Sequence, residues 1–331
     1  MTLDIEKRKN PYLEIFIIAF FISLSFLLPY IILDKGLFLF FGDYDVQQVP
    51  FYMLAHNAIR NGNVFWSFTT DLGSSFIPSY SFYLLGSPFF WLTLPLPDAV
   101  VPYMMGPLLA LKMAFMAMTA YGFFSRFVKK SEFAALGALL YAFSGFTVYN
   151  IFFNHFLDCM VFFPLILIAL EEYMINDRRG YFALIVFICA FVNYIFFFAQ
   201  VVFIIIYWIL RMLSGDWKLT FKKFIILTFE AVLGVGLSCL LLIPSIIATA
   251  ANNRTGQMLS GWNFLYTITP NAFGIFCTHC FSLRISLQDQ IFFRMPTTNG
   301  LRCQHGCRFS PFLGRLPLFC TKKDIGLNVY L

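Results

Sequence analysis

Charge is scarce in this chain. Of its 331 residues only 12% are Asp, Glu, Lys or Arg, whereas 60% are hydrophobic and 20% are aromatic. A water-soluble protein of this length needs far more charge on its surface, so the composition excludes a soluble domain and indicates an integral membrane protein. The formal net charge of +6 does not indicate a nucleic-acid-binding protein, because the basic residues lie in short runs between apolar segments, where they orient membrane spans.

Several catalytic signatures are also absent from the first 275 residues. They contain no G-x-S-x-G elbow, no P-loop, no H-E-x-x-H helix and no dinucleotide-binding fingerprint. Hydrolase, ATPase, metalloprotease and redox functions therefore have no support from motifs. We accordingly predict neither a metal nor another cofactor.

Long apolar segments alternate with short polar loops, which predicts an all-α, polytopic transmembrane fold. The basic run Lys7–Lys9 before the first apolar segment places the N-terminus in the cytoplasm. Keeping every basic run on that side gives about seven crossings of the cell membrane, with an extracytoplasmic active face. The predicted spans are Tyr12–Leu33, Pro102–Phe127, Glu132–Asn150, Cys159–Met174, two short helices within Tyr181–Met212 that meet near Asn193–Gln200, and Phe224–Ile247.

Some apolar segments do not fit a plain span. Phe82–Leu96 is short and interrupted by Gly86 and Pro88, so we predict a re-entrant or interfacial element that packs against protein. The alternating pattern of Pro50–Ile59 predicts a short helix in the membrane interface. The turn Ser144–Phe146 lies within a predicted span, where its small residues would allow close helix packing.

The predicted outer segment, residues 34–81, contains GDYDVQQVPFY, which begins at Gly42. An acid beside a membrane is costly to desolvate and usually lines a polar cavity or has a partner, although an acid pair can also simply occupy a wet loop. An external carboxylate can act as a general base on an incoming hydroxyl while a phosphate leaves, which is the chemistry of sugar transfer from a polyprenyl phosphate. Four acids lie on the predicted outer face: Asp43, Asp45, Asp71 and Asp158.

The stretches GDYDVQQVPFY, WSFTTDLGSSF, SFYLLGSPFFWL, YAFSGF and NHFLDCMVFFPLI, in this order, resemble the YfhO family of bacterial membrane proteins, which are similar to GT-C class glycosyltransferases. The resemblance extends from the first span to about residue 275. It implies a GT-C-like transmembrane region that transfers a sugar from an undecaprenyl-phosphate carrier to a cell-surface acceptor such as teichoic or lipoteichoic acid. It also implies that an acid in the first outer loop is the base. That role falls on Asp43, directly after the glycine, with Asp45 as the alternate.

The resemblance also suggests residues that contact the substrates. His155 is a candidate contact for a phosphate. Arg60 is the outer cation expected nearest the motif, although it can equally reach lipid phosphates. The short loop before the fourth span, Asn150–Asp158, is predicted to be exposed. Asn154 and Asp158 match the family in this loop, where helix capping explains them as well. The candidate substrate-binding residues are Gln47, Gln48, Arg60, Asp71, Asn154, His155 and Asp158.

Two other functions stay open at this point. A transporter or flippase of lipid-linked sugars would also need outward polar cavities and interrupted helices. An inactive truncated product is the third possibility. The expected partners are a polyprenyl-phosphate-linked sugar, a cell-surface glycopolymer and the lipid bilayer, without nucleic acid.

The last part of the chain, residues 276–331, differs from the rest. It contains five of the eight cysteines and no apolar run of spanning length. The pairs Cys277-x-x-Cys280 and Cys303-x-x-x-Cys307 approximate the spacing of a structural zinc site. Outside the cell such thiols tend to oxidise, however, and the family resemblance ends just before them. We therefore predict a largely disordered tail from a truncated or frameshifted gene, without a metal.

Overall fold

The computed structural model describes residues 10–40, 42–70, 73–217 and 220–251. Within them the fold is helical, apart from one antiparallel ribbon of β1 (Trp66–Ser67) and β2 (Ser74–Ser75). Asp71 and the cysteine-rich tail lie outside the described residues, so the predictions made for them stay predictions. The α-helices described are α1 Pro11–Leu33, α2 Val49–Arg60, α3 Phe76–Tyr80, α4 Pro88–Trp91, α5 Val101–Phe124, α6 Ser131–Ala142, α7 Gly145–Tyr149, α8 Asn154–Asn176, α9 Tyr181–Val192, α10 Tyr194–Leu213 and α11 Phe221–Ala250.

Helix α1 shows how the sequence starts a membrane-type helix. Asn10 Oδ1 accepts a hydrogen bond from the Tyr12 amide at 3.1 Å. Pro11 occupies the first helical position, where its missing N–H costs nothing. The helix is apolar almost throughout, and only four of its residues are buried by protein. A helix that is apolar on all faces and largely uncovered by protein requires an apolar surrounding such as lipid.

Five helical stretches among the described residues have the length and composition to cross a bilayer: Pro11–Leu33, Asp98–Phe124, Ser131–Phe152, Tyr194–Leu213 and Phe221–Ala250. Helix α8 has 23 residues and is mostly buried within the protein. Helix α9 has only 12 residues, which span about 18 Å. The structure confirms an all-α membrane protein, whereas the seven spans and the GT-C arrangement stay predictions.

The stretch predicted as one span, Glu132–Asn150, is interrupted in the structure. Helix α6 ends at Ala142, and Ser144 caps α7 by accepting a hydrogen bond from the Thr147 amide through Oγ at 3.4 Å. Apart from its chain neighbours and its own helix backbone, no atom of the described residues lies within 4 Å of the place where a Cβ on Gly145 would stand. The predicted close helix packing at this turn is therefore wrong, because its serine begins a new helix instead.

Two helices, α9 and α10, lie within the predicted stretch Tyr181–Met212 and meet at Asn193, as predicted. Only α9 is short, because α10 has 20 residues. The backbone of Asn193 is extended, and its Oδ1 accepts a hydrogen bond from the Phe196 amide at 3.0 Å. Its Nδ2 donates to the Phe82 carbonyl at 3.3 Å. One side chain thus starts α10 and joins the helix break to the segment predicted to be re-entrant.

That segment, residues 82–96, forms no helix of spanning length. It contains the end of a π-helix, Ser81–Leu85, followed by α4. At Gly86 an added Cβ would lie 1.9 Å from the Phe191 carbonyl oxygen, so the close approach to α9 requires glycine. Ser81 Oγ lies 2.7 Å from Ser245 Oγ on α11. The segment therefore packs against protein on two sides, as the sequence predicted.

Helix α5 is central and packs against α1, α6 and α8, while α9 packs against α8 and α11. Ion pairs bring the C-terminal ends of α5, α8 and α10 and the start of α11 together at one end of the bundle. We call the end that carries residues 42–60, 82–93 and the start of α8 the motif end. We call the opposite end, which carries the basic residues after α5, α8 and α10, the basic end.

Candidate functional site: a buried polar cluster at the motif end

The acidic motif forms a turn and then a π-helix, Tyr44–Gln48. Gly42 has a φ of 66°, a left-handed conformation that glycine adopts without strain. Asp43 follows it, half-buried, and its carboxylate makes no hydrogen bond or ion pair with the described residues. Asp45 differs, because its Oδ1 accepts a hydrogen bond from the Phe40 amide at 2.9 Å. The predicted base and its alternate therefore have different surroundings.

Burial raises the pKa of Asp45; the hydrogen bond from Phe40 acts against this, and the Asp34 carboxylate adds to it. The π-helix precedes Pro50, whose missing N–H leaves one backbone carbonyl without its usual helical partner. Gln48 is buried, whereas Val46 is 75% exposed. The motif thus presents one face to the protein interior and one to the surroundings.

Both glutamines of the motif belong to a hydrogen-bonded chain. Gln47 Nε2 donates to the Tyr83 hydroxyl at 3.4 Å, and Gln48 Nε2 donates to Gln47 Oε1 at 3.2 Å. Gln48 Oε1 lies 3.1 Å from His155 Nδ1. The structure therefore brings three of the predicted substrate-binding residues together, and it joins the motif to the start of α8.

A buried ion pair lies behind this chain. Lys112 Nζ is 2.7 Å from Asp158 Oδ1, and it donates to the carbonyl and the Oδ1 of Asn154 at 3.1 and 3.0 Å. The Lys112 ammonium also faces the Phe89 ring at 5.4 Å. The side chains of Lys112 and Asp158 are 0% and 2% exposed. A charge pair buried this deeply persists only when each group is compensated in place.

The sequence predicted an exposed loop over residues 150–158, and that prediction is wrong. Asn154 and Asp158 lie in α8 and, with His155, are at most 3% exposed. They do not cap the helix either, because Phe153 is its N-cap and makes no side-chain bond. Residues four apart share one helix face, so Asn154 and Asp158 turn together towards Lys112.

Sequence reasoning missed Lys112 although a signal existed. It is the one charged residue in the 24 residues of α5, and an isolated lysine in an apolar helix needs a buried partner.

Tyr52 was missed as well. It is 1% exposed, and burial, followed by the Asp158 carboxylate, raises the pKa of its phenol. Nothing in the local pattern around Tyr52 distinguishes it from an ordinary interfacial tyrosine.

Arg60 does not contact this cluster. Its Nη1 donates to the Leu96 carbonyl at 2.6 Å and lies 3.4 Å from Asp98 Oδ1. On the same helix His56 is fully buried, with Nδ1 3.1 Å from Asp98 Oδ1 and Nε2 3.0 Å from the Thr93 carbonyl. Two oxygen acceptors therefore face the two ring nitrogens. Arg60 and His56 attach α2 to the turn before α5.

No three His, Cys, Asp or Glu side chains in the described part of the chain come together as a metal site would require. The polar side chains of the cluster at the motif end carry carboxylate, amide, imidazole and ammonium groups. Such a buried polar cluster between helices is typical of multi-pass membrane proteins that handle a polar substrate.

Fold and cluster together define an all-α, multi-pass membrane protein with a polar site at one end of its helix bundle. The sequence pattern of one family, bacterial membrane protein YfhO, matches residues 15–282, seven residues beyond the predicted end of the resemblance. The chain belongs to the YfhO family. No curated protein and no solved structure matches it significantly.

Proposed function

We propose that the protein is a membrane glycosyltransferase that transfers a sugar from a polyprenyl-phosphate carrier to a cell-surface acceptor such as a teichoic acid. Membership of the YfhO family supports this at the level of a glycosyltransferase-like membrane protein. One observation carries the assignment of the base: Asp43 is half-buried and directly precedes the π-helix that carries Gln47 and Gln48, yet its carboxylate has no partner among the described residues.

In the proposed reaction the Asp43 carboxylate takes the proton of an acceptor hydroxyl as that oxygen attacks C1 of the sugar. The bond from C1 to the phosphate oxygen breaks, and the polyprenyl phosphate leaves with the electron pair. Gln47 and Gln48 hold the motif and orient the acceptor. Arg60 is a candidate cation for the phosphate, because its side chain is 45% exposed and only its Nη1 is engaged by described residues.

We further propose that the motif end is extracytoplasmic. The supporting observation is the distribution of basic residues, since cytoplasmic loops are enriched in Lys and Arg. The basic end carries Arg126, Lys129, Arg178 and Lys222, all of them exposed. The motif end would then face the compartment in which cell-surface polymers are assembled.

The test compares Asp43→Asn with Asp45→Asn in the full chain, reconstituted with a defined polyprenyl-phosphate sugar and a glycopolymer acceptor. Loss of a general base typically costs 10²–10⁴-fold in rate, so we expect Asp43→Asn to lower kcat by about 100-fold or more while the carrier still binds. The smaller loss is expected for Asp45→Asn, because its amide oxygen can still accept from Phe40. The reverse order would assign the base to Asp45.

A transporter or flippase of lipid-linked sugars is the second candidate. The break between α9 and α10 at the buried Asn193 favours it, since interrupted helices often form substrate sites in transporters. Movement of a fluorescent carrier lipid across vesicle membranes without any transfer to acceptor would support this function. A chain that neither transfers nor moves the carrier would be the inactive product.

A further inference from the structure

The bond between Gln48 and His155 joins two segments separated by 107 positions. Both side chains are buried, at 1% and 3% exposure. Because the Gln48 amide group donates to Gln47, its Oε1 is the acceptor, and the proton of this bond comes from His155 Nδ1. The amide orientations thereby place a hydrogen on His155 Nδ1, and in a neutral ring Nε2 then carries none.

The ring of His155 is also fixed from its sides. Its centroid lies 4.8 Å from that of Phe82, 4.9 Å from that of Tyr83 and 4.4 Å from that of Phe156. A charged imidazolium enclosed by these rings would be costly to desolvate, which favours the neutral ring. His155 Nε2 is buried and has no partner among the described residues.

The helical turn that carries His155 is held from the other side by Lys112. Three oxygen atoms of Asn154 and Asp158 lie within 3.1 Å of Lys112 Nζ, and an ammonium has three hydrogens to donate. The charge of Lys112 is therefore satisfied by α8, which makes it an anchor for this turn and not a free cation for a substrate phosphate. His155 lies between the two anchored residues.

We propose that His155 is a positioning residue, which acts through Nδ1 and Gln48 to hold the π-helix, and with it Asp43, against the anchored first turn of α8. The proposal rests on the proposed function as far as Asp43 is the base, and it deepens that function. This role differs from a direct contact of His155 with a substrate phosphate. In the neutral ring Nε2 has a lone pair and no hydrogen, so it cannot donate a hydrogen bond to a phosphate oxygen.

The experiment uses isosteric replacements of single ring nitrogens. In His155→Asn the amide nitrogen stands near the position of Nδ1, and in His155→Gln it stands near that of Nε2. His155→Leu removes both, and Gln48→Met removes the partner. Each full-length variant is reconstituted in lipid nanodiscs, and its transfer kinetics and the backbone hydrogen exchange of residues 42–48 are measured.

We expect His155→Asn to keep the protection of residues 42–48 and most of kcat. His155→Gln, His155→Leu and Gln48→Met should exchange faster there, and kcat should fall by about 100-fold, the usual loss for a base displaced by about 1 Å, with an unchanged KM for the carrier. His155→Leu combined with Gln48→Met should exchange no faster than either single variant.

Two outcomes would overturn the proposal. Activity retained by His155→Gln and lost by His155→Asn would show that Nε2 contacts the substrate directly. Unchanged exchange of residues 42–48 in His155→Leu would show that the histidine does not hold the motif. If the unmodified protein transfers no sugar, the proposed function fails, yet the exchange comparison still decides whether His155 positions the motif.

Discussion

At the basic end of the bundle four acids lie against basic partners, whereas at the motif end the first acid of the motif has none among the described residues. The pairs at the basic end are Glu171 with Arg211, Glu172 with Arg126, Asp177 with Lys223 and Asp216 with Arg211. They join the ends of α8 and α10 to the segment after α5 and to the start of α11. The carboxylate of Asp43 gives no comparable stabilisation. A half-buried acid that makes no stabilising contact is typical of functional sites.

The backbone differs between the two ends as well. At the basic end long helices finish regularly; α8, for instance, ends at Asn176 with Asp177 in the left-handed conformation. At the motif end the chain consists of short helices and two π-helices, Tyr44–Gln48 and Ser81–Leu85. Irregular backbone at such a position is tolerated only where protein or water satisfies its polar groups. The motif end therefore depends on buried side-chain contacts for its shape.

The largest expected effect is at the buried pair of the motif end. Lys112→Met leaves Asp158 buried without its partner and should lower the free energy of unfolding by about 3–5 kcal/mol, as for other broken buried pairs. Removing the second charge as well, with Lys112→Met and Asp158→Leu, should cost less than the single change. Unfolding by SDS titration in mixed micelles measures both.

Lys129 at the basic end is the matched control, because it is exposed and has no ion-pair partner among the described residues. Lys129→Met should change the free energy of unfolding by no more than about 0.5 kcal/mol. Equal losses for the Lys112→Met and Lys129→Met variants would remove the contrast between a compensated buried lysine and an exposed one.

A smaller effect is expected at the basic end, where Glu171 and Glu172 provide a matched pair of neighbours. Glu171 is 1% exposed and accepts hydrogen bonds from Tyr207, from Arg211 Nε and Nη2 at 2.9 and 3.0 Å, and from Trp217 Nε1 at 3.2 Å. Glu171→Gln should lower the free energy of unfolding by about 1.5–3 kcal/mol, the range for hydrogen bonds to a charged group.

Glu172→Gln should cost less than about 1 kcal/mol, because its pair with Arg126 lies nearer the surface. Neither change should alter the kcat of sugar transfer beyond what the loss of folded protein explains. A lower kcat of the remaining folded Glu171→Gln protein would mean that the basic end takes part in the reaction, and that the two ends are not separate.

The smallest effect is a pH dependence at Asp45. Burial raises the pKa of this carboxyl in the folded protein, so the folded state holds the proton more tightly than the unfolded state. The stability from this group is present below the unfolded pKa and is lost as the pH rises through the folded pKa. As the pH rises from about 3.8, the free energy of unfolding should therefore decline less in the Asp45→Asn variant than in the unmodified protein. A steeper decline in Asp45→Asn would contradict this sign.

Sequence reasoning predicted the class and family of the protein and the helix break near Asn193. It also identified the acidic motif in the polar segment after the first apolar run. These follow from local signals: apolar length, breakers of helices and ordered motifs. It placed Asn154, His155 and Asp158 in an exposed loop because polar residues between two apolar runs usually form one. The burial of Asn154 and Asp158 follows from Lys112, which lies 42 positions before Asn154 and supplies the compensating charge. The partner of His155 is Gln48.

The sequence by itself determined that this chain is an integral membrane protein. Only 12% of its residues are charged, which is too few to cover a water-exposed surface. It also determined that Asp43 and Asp45 lie two positions apart in the segment that follows the first apolar run. Only the tertiary structure decided which of these acids is engaged, and which histidine nitrogen faces the motif. The first choice depends on a backbone bond only five positions away, whose geometry the sequence pattern does not specify. The second depends on a contact across 107 positions, which helix packing selects and local sequence does not encode.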